Sequence, residues 1–113
     1  MSYFRKLDIK AAELLSLCKK NERWLILLNA DPDAMASAMA LKRILARRVQ
    51  GVALAMVNDL SRPDNLAMVR YLQIPVQHLT PPLAAQFDRF ALVDSQPHHH
   101  PEFASFDYSI VID

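Results

Sequence analysis

The segment WLILLNADPDAMASAMALKRIL, residues 24–45, is the feature that most constrains how this chain folds. It begins with five consecutive apolar residues, which is typical of a strand buried on both faces of a parallel sheet. A polar turn follows, and small or apolar residues then recur at helical spacing, at Ala34, Ala38, Leu41 and Leu45. We therefore predict a strand, a turn that carries two aspartates, and a helix. Such a turn lies at the carboxyl end of the strand, where α/β sheets bind ligands.

Composition and charge limit the classes of protein to which the chain can belong. Its 113 residues are 52% hydrophobic, enough for the core of a single domain, which we place at residues 1–113. The single cysteine, Cys18, excludes an intrachain disulfide and is typical of a reducing compartment. No apolar run approaches the ~20 residues of a membrane span, so we expect a cytoplasmic protein without a membrane partner. The net charge of +1 favours no partner by itself, and the single glycine excludes a glycine-rich phosphate loop.

Short apolar runs and helical patterns alternate along the rest of the chain. Further strands are predicted at residues 52–57, 74–79, 90–93 and 108–112. Helices are predicted at residues 7–21, from Ala34 to about Val49 with Gly51 as the end, from Pro63 through about Tyr71, and at residues 83–86. This alternation predicts an α/β fold in which three layers, α/β/α, surround a mostly parallel sheet of about five strands.

The fifth predicted strand, residues 108–112, is followed by a single residue. A buried strand normally leads into an element that covers it, so we interpret the sequence as a truncated domain. An uncovered strand at the edge of a sheet also invites pairing with another chain. A homodimer formed through this edge is therefore an open alternative to a monomer.

Aspartates follow three of the predicted strands. Asp31 and Asp33 follow the first strand, Asp94 follows the fourth, and Asp113 follows the fifth. The segment from Asp31 to Asp33, taken alone, favours a simple interpretation in which Asp33 caps the helix and Asp31 is a turn residue. Parallel strands, however, bring all four carboxylates to one edge of the sheet. Such a convergence suits two divalent cations about 3.5–4 Å apart, and we favour a metal site over helix capping on that ground.

Three segments resemble the motifs of the DHH phosphoesterase family. Residues 29–38, NADPDAMASA, are similar to the first motif, His-x-x-x-Asp-x-Asp-(small)-x-x-Ser-Ala. Residues 91–97, ALVDSQP, are similar to the second motif, Leu-Val-Asp-Thr-Gln-Pro, and residues 108–113, YSIVID, resemble the approach to the third, Asp-His-His. The order and spacing cover nearly the whole chain. The chain thus resembles the N-terminal part of a RecJ-like or nano-RNase-like DHH domain, without the family's C-terminal substrate-binding domain.

The resemblance implies a metal-dependent hydrolase, a phosphoesterase that acts on phosphodiester bonds of nucleotides or short oligonucleotides. It implies Mn²⁺ or Mg²⁺ as the cofactor. Asp31 and Asp33 would each bind one ion, Asp94 would bridge the two ions, and Asp113 would complete one coordination sphere. By the same resemblance, the candidate catalytic residues are Asp31, Asp33 and Asp94, and the candidate metal ligands are these three together with Asp113.

The sequence departs from the family pattern at the histidine of the first motif. That histidine would fall at Leu27, which cannot bind a metal, or at Asn29, whose amide oxygen is a weaker ligand than imidazole for Mn²⁺. Residues 98–100, HHH, offer a replacement, although adjacent histidines point in different directions and such runs are more often solvated. The sequence also ends before the two histidines that the third motif places after Asp113, and we expect the chain by itself to be inactive.

Two alternatives stay open at this point. The first is a degenerate, non-catalytic DHH-like domain with a nucleotide-binding, regulatory or assembly role, and the absence of the motif histidine favours it. The second is an unrelated flavodoxin-like or receiver-type domain that binds Mg²⁺ in an acidic pocket. The segment DSQP, residues 94–97, counts against the second alternative.

Overall fold

Five parallel strands form a single sheet in the computed structural model of the chain, which describes residues 16, 18–29, 31–57, 67, 69–70, 73–95 and 101–112. The described elements, in chain order, are β1 (Arg23–Leu28), α1 (Pro32–Leu45), β2 (Gly51–Met56), β3 (Val76–His78), α2 (Pro81–Ala84), β4 (Arg89–Val93), a 3₁₀ helix (Phe103–Ser105) and β5 (Tyr108–Ile112). The predicted α/β class and the five-stranded sheet are confirmed. No described helix is both long enough and apolar enough to cross a membrane.

The strands lie in the order β3-β2-β1-β4-β5, and every neighbouring pair is parallel. Strand β1 therefore occupies the centre of the sheet. Its residues from Trp24 to Leu28 are all fully buried, because alternate side chains enter apolar clusters on the two faces of the sheet. This explains why the strand is a continuous apolar run and not an alternating one.

The two faces of the sheet are covered by different elements. On the first face, Trp24, Ile26 and Leu28 pack against α1 through its buried residues Ala34, Met35, Ala38, Leu41 and Leu45. On the second face, Leu25 and Leu27 pack with Phe103 of the 3₁₀ helix and with Leu83 of α2. Because only short helices cover the second face in the described part of the chain, the full three-layer arrangement stays a prediction.

The chain adds β2 and β3 on one side of β1 and then adds β4 and β5 on the other side. The chain passes from β1 to β2 through α1 on the first face, and from β3 to β4 through α2 on the second face. Parallel crossovers are almost always right-handed, so a crossover that runs in the opposite direction along the sheet must use the opposite face. The reversal leaves β1 and β4 side by side, with the segments that follow them leading to opposite faces. This is the switch point of a doubly wound sheet.

Helix α1 ends earlier than its apolar spacing predicts. Val49 is buried, as the pattern requires, but the helix ends at Leu45, and the Arg48 N–H donates to the Leu45 carbonyl in a tight turn. Val49 therefore reaches the core from a turn, and not from the last turn of the helix. Gly51 begins β2, so the prediction that it ends the helix was wrong.

The remaining boundaries differ by a few residues from the predictions. Strand β3 is limited to Val76–His78, following Pro75, which has no N–H for a ladder. Helix α2 starts at Pro81 and not at Leu83. Thr80 is its N-terminal cap, because the Thr80 hydroxyl accepts a hydrogen bond from the Leu83 N–H at 3.2 Å. Strand β5 has the predicted bounds.

Two predicted helices fall largely outside the described residues. In the helix predicted at residues 7–21, Ser16 is helical, but residues 18–21 are not, so this helix ends earlier than predicted. The Glu22 N–H donates to the Lys19 carbonyl at 3.2 Å in the turn that leads into β1. In the helix predicted through Tyr71, Ala67, Val69 and Arg70 are helical.

A tyrosine ties the 3₁₀ helix to the edge of the sheet. The hydroxyl of Tyr108 in β5 donates to the Phe103 carbonyl at 2.6 Å, and the side chain of Phe103 is buried beneath. The ring of Phe106 contacts two further rings: its centroid lies 4.7 Å from that of Phe90 and 6.4 Å from that of Tyr108. Burial raises the pKa of the Tyr108 hydroxyl from 10.0 to about 12.

We predict that Tyr108→Phe lowers the free energy of unfolding by about 1 kcal/mol at pH 7, the usual net value of one such hydrogen bond. The folded protein retains the phenol proton more firmly than the unfolded chain, so the contribution of Tyr108 is complete below pH 10 and is lost as the pH rises to about 12. Urea unfolding of both proteins between pH 7 and pH 12 measures the difference. A difference that is constant through pH 12 would contradict the assignment.

Candidate functional site

The candidate site lies at the carboxyl ends of β1 and β4. Asp31 follows β1, and Asp94 comes directly after β4. The two strands are paired in register, with Leu27 opposite Leu92. The structure thus places Asp31 and Asp94 at the same edge of the sheet, on either side of the switch point, where doubly wound sheets bind ligands.

Asp31 is the N-terminal cap of α1. Its backbone is extended, its Oδ1 accepts from the Ala34 N–H at 2.8 Å, and its carbonyl accepts from the Met35 N–H at 2.9 Å. The simpler interpretation of the aspartates, in which Asp33 caps the helix and Asp31 is a turn residue, was therefore wrong about which aspartate is the cap. Pro32 occupies the first helical position, where its fixed φ fits and its missing N–H costs nothing, and this makes Asp31 the cap.

Asp33 lies exposed in the first turn of α1. There its negative charge complements the partial positive charge of the helix N-terminus. The cap formed by Asp31 involves only Oδ1, so the second carboxylate oxygen, Oδ2, takes no part in it. Ser37, which lies further along α1, is partly buried.

Asp94 has an exposed side chain on an unusual backbone. Its φ is 54°, in the left-handed region, and its N–H donates to the carbonyl of Ile112 in β5 at 2.6 Å. Aspartate enters this region more readily than most residues, but the conformation still costs on the order of 1 kcal/mol and persists where the surroundings hold it. The direction in which the Asp94 side chain leaves the backbone is therefore set by a constrained turn.

Ser95 was not singled out by the sequence. It is 5% exposed, and it is the only buried polar residue within the described ranges. The signal available in the sequence was its position, a small polar residue directly after an aspartate at the end of a buried strand. Its burial beside an exposed Asp94 shows that the chain turns inward at this point.

The donor chemistry of the site fits a hard divalent cation, because carboxylate oxygens are the ligands that Mg²⁺ and Mn²⁺ prefer. Among the residues that the structure describes, however, no three histidine, cysteine, aspartate or glutamate side chains form a group that could hold a metal. Asp113 and residues 98–100 lie outside the described ranges. The predicted roles of Asp31, Asp33, Asp94 and Asp113 as ligands therefore stay predictions.

The two positions considered for the motif histidine have different environments. Leu27 is fully buried in the apolar cluster on the second face of the sheet, so a ligand at this position would lie within the core. Asn29 is exposed between β1 and Asp31. Only Asn29 of the two has a side chain in contact with solvent near the site.

Two cavities lie elsewhere on the molecule. One, of about 480 Å³, is mainly apolar and lies beside α2, and the other, of about 630 Å³, lies at the amino ends of β4 and β5. Neither is lined by Asp31, Asp33 or Asp94. The candidate site is therefore defined by the placement of Asp31 and Asp94 at the switch point.

We predict that Asp31→Ala lowers the free energy of unfolding by about 1 kcal/mol through loss of the cap, whereas Asp31→Asn leaves it nearly unchanged, because asparagine caps as well as aspartate. Asp33→Ala is the matched control and should cost only a few tenths of a kcal/mol through the helix dipole. Urea unfolding at pH 7 measures all three. An equal loss for Asp33→Ala and Asp31→Ala would show that the cap has been misassigned.

Comparison of the chain with protein-family models, with curated proteins and with solved structures gave no match. The family suggested by the motifs therefore depends on the residues themselves. The structure adds one fact to them, namely that the segments that carry Asp31 and Asp94 meet at the switch point.

Proposed function

We propose that the chain is a DHH-type, metal-dependent phosphoesterase domain that hydrolyses phosphodiester bonds of nucleotides or short oligonucleotides. The observation that carries the proposal is the placement of Asp31 and Asp94 after adjacent strands at the switch point. Neighbouring strands lie about 4.8 Å apart, so the two segments begin within reach of a shared ligand. The sequence alone did not determine that β4 is the neighbour of β1.

The residues of the chain have distinct roles in this proposal. Asp31 would offer Oδ2 while Oδ1 stays in the helix cap, and Asp94 would offer its carboxylate from the left-handed turn. Asp33 and Asp113 would complete the ligand set for Mn²⁺ or Mg²⁺. When bound, such ions supply an activated water molecule and stabilise negative charge on the phosphate. The N-terminus of α1 adds a partial positive charge at the same edge of the sheet.

A non-catalytic, degenerate DHH-like domain that binds nucleotides or has a regulatory role is the second candidate. One observation favours it. Leu27 is fully buried, so its position contributes nothing to a metal site. Both candidates use the same carboxylates, and they differ in whether bound metal leads to hydrolysis.

The cysteine content and the edge of the sheet support proposals about the location and the assembly of the protein. We place the protein in the cytoplasm because its lone cysteine is typical of a reducing compartment. A homodimer through β5 is the assembly we propose, because β5 is an edge strand whose Val111 and Ile112 side chains are each about two-fifths exposed. An exposed apolar edge strand is a template for pairing with another strand.

We predict saturable Mn²⁺ binding to the chain in calorimetric titration and no binding to the Asp31→Asn, Asp94→Asn double variant. Asparagine retains the helix cap and also tolerates a left-handed backbone, so the double variant removes charge while preserving both turns. Asp107→Asn, at the amino end of β5, is the matched control and should bind like the wild type.

The same samples test the two candidate functions. Hydrolysis of bis(p-nitrophenyl) phosphate in the presence of Mn²⁺, lost in the double variant, would show a phosphoesterase and rule out the degenerate domain. Because we expect the chain by itself to be inactive, Mn²⁺ binding without hydrolysis agrees with both candidates. If the wild type binds no Mn²⁺, the metal-dependent proposal is wrong.

A further inference from the structure

The turn after β4 combines an exposed carboxylate with a buried hydroxyl. Val93, the last residue of β4, is fully buried and pairs with Ile112 of β5. The Asp94 side chain then projects into solvent, and Ser95 returns to the interior with 5% of its surface exposed. The backbone achieves this change through the left-handed conformation of Asp94, whose φ is 54°.

A backbone hydrogen bond holds the start of this turn. The Asp94 N–H donates to the Ile112 carbonyl, which ties the start of the turn to β5. A buried hydroxyl is costly unless it forms a hydrogen bond, and Ser95 takes part in a polar interaction within the fold. Ser95 thus has the chemistry needed to hold the other end.

We propose that Ser95 is a positioning residue for Asp94: its buried hydroxyl anchors the left-handed turn and so fixes the direction in which the Asp94 carboxylate leaves the sheet edge. The significance of that direction rests on the proposed function, in which Asp94 binds metal. The anchoring of the turn does not, since it concerns only the geometry of residues 93–95.

A simple packing role for Ser95 leads to different expectations. If the site only requires a small side chain, alanine fills it equally well and the turn is unchanged. If the hydroxyl holds the turn, Ser95→Ala releases Asp94, and Ser95→Thr, which retains a hydroxyl, restores it. The two substitutions therefore separate hydrogen bonding from side-chain volume.

The first measurement is amide hydrogen exchange by NMR on the wild type, Ser95→Ala and Ser95→Thr without metal. In Ser95→Ala we expect the Asp94 amide to exchange about tenfold faster, because one buried hydrogen bond no longer opposes local opening. The amide of Leu92 in β4 is the internal reference for global unfolding. The Cα and Cβ shifts of Asp94 should also move away from left-handed values in Ser95→Ala alone. Unchanged exchange and shifts at Asp94 would overturn the proposal.

The second measurement is Mn²⁺ affinity by calorimetry on the same proteins. Loss of a group that orients a ligand typically lowers metal affinity about tenfold or more, and we expect this for Ser95→Ala with recovery in Ser95→Thr. Tyr108→Phe, which weakens the fold outside this turn, is the control for general destabilisation and should bind like the wild type. Equal affinity for Ser95→Ala and the wild type would overturn the positioning role.

The two measurements fail separately. If the wild type binds no Mn²⁺ but Ser95→Ala releases the Asp94 amide, the metal proposal is wrong and the anchoring of the turn stands. If the wild type binds Mn²⁺ and Ser95→Ala changes neither Asp94 nor the affinity, the metal proposal stands and the role of Ser95 is wrong.

Discussion

The parallel pairing of β1 with β4 is the constraint on which the rest of the structure depends. It joins two halves of the chain that lie on opposite sides of the reversal in strand order. Had β4 added to the far side of β3, Asp94 would lie three strands from Asp31, about 14 Å away at the usual strand spacing. Instead the two aspartates follow neighbouring strands. The candidate site therefore depends first on the order of the strands, and only then on the chemistry of the side chains.

Burial explains why β1 takes the central position. Residues 24–28 are all fully buried and enter both apolar clusters, whereas Val111 and Ile112 in β5 are each more than 40% exposed. Burying a large apolar side chain contributes roughly 1.5–3 kcal/mol, so the strand with apolar residues on both faces gains most at the centre. Strand β3, which is three residues long and mostly exposed, lies at the other edge.

Local sequence patterns predicted most of the elements and the parallel five-stranded sheet, but they did not predict the order of the strands. The buried face of α1 and the bounds of β5 are confirmed, because both depend on the spacing of apolar residues within one segment. The end of α1 was predicted incorrectly, because Val49 can be buried either by one more turn of the helix or by the tight turn that the structure has. The alternative interpretation of the aspartates gave the cap to Asp33, although Pro32 at the first helical position was the available signal for Asp31. Strand order depends on which face each crossover uses, and no single segment encodes that choice.

The two carboxylates at the switch point are held by main-chain geometry more than by packing. Asp31 is fixed by the Ala34 N–H in a helix cap, and Asp94 by a left-handed turn bonded to β5. The cap orders the side chain of Asp31, and the turn orders the backbone of Asp94, so a ligand that binds both carboxylates would lose less conformational entropy on binding. The cap leaves Oδ2 of Asp31 outside its hydrogen bond, and the side chain of Asp94 is exposed. Asp31 and Asp94 follow neighbouring strands at the switch point of the sheet, and this placement is the observation from which we propose a cation site.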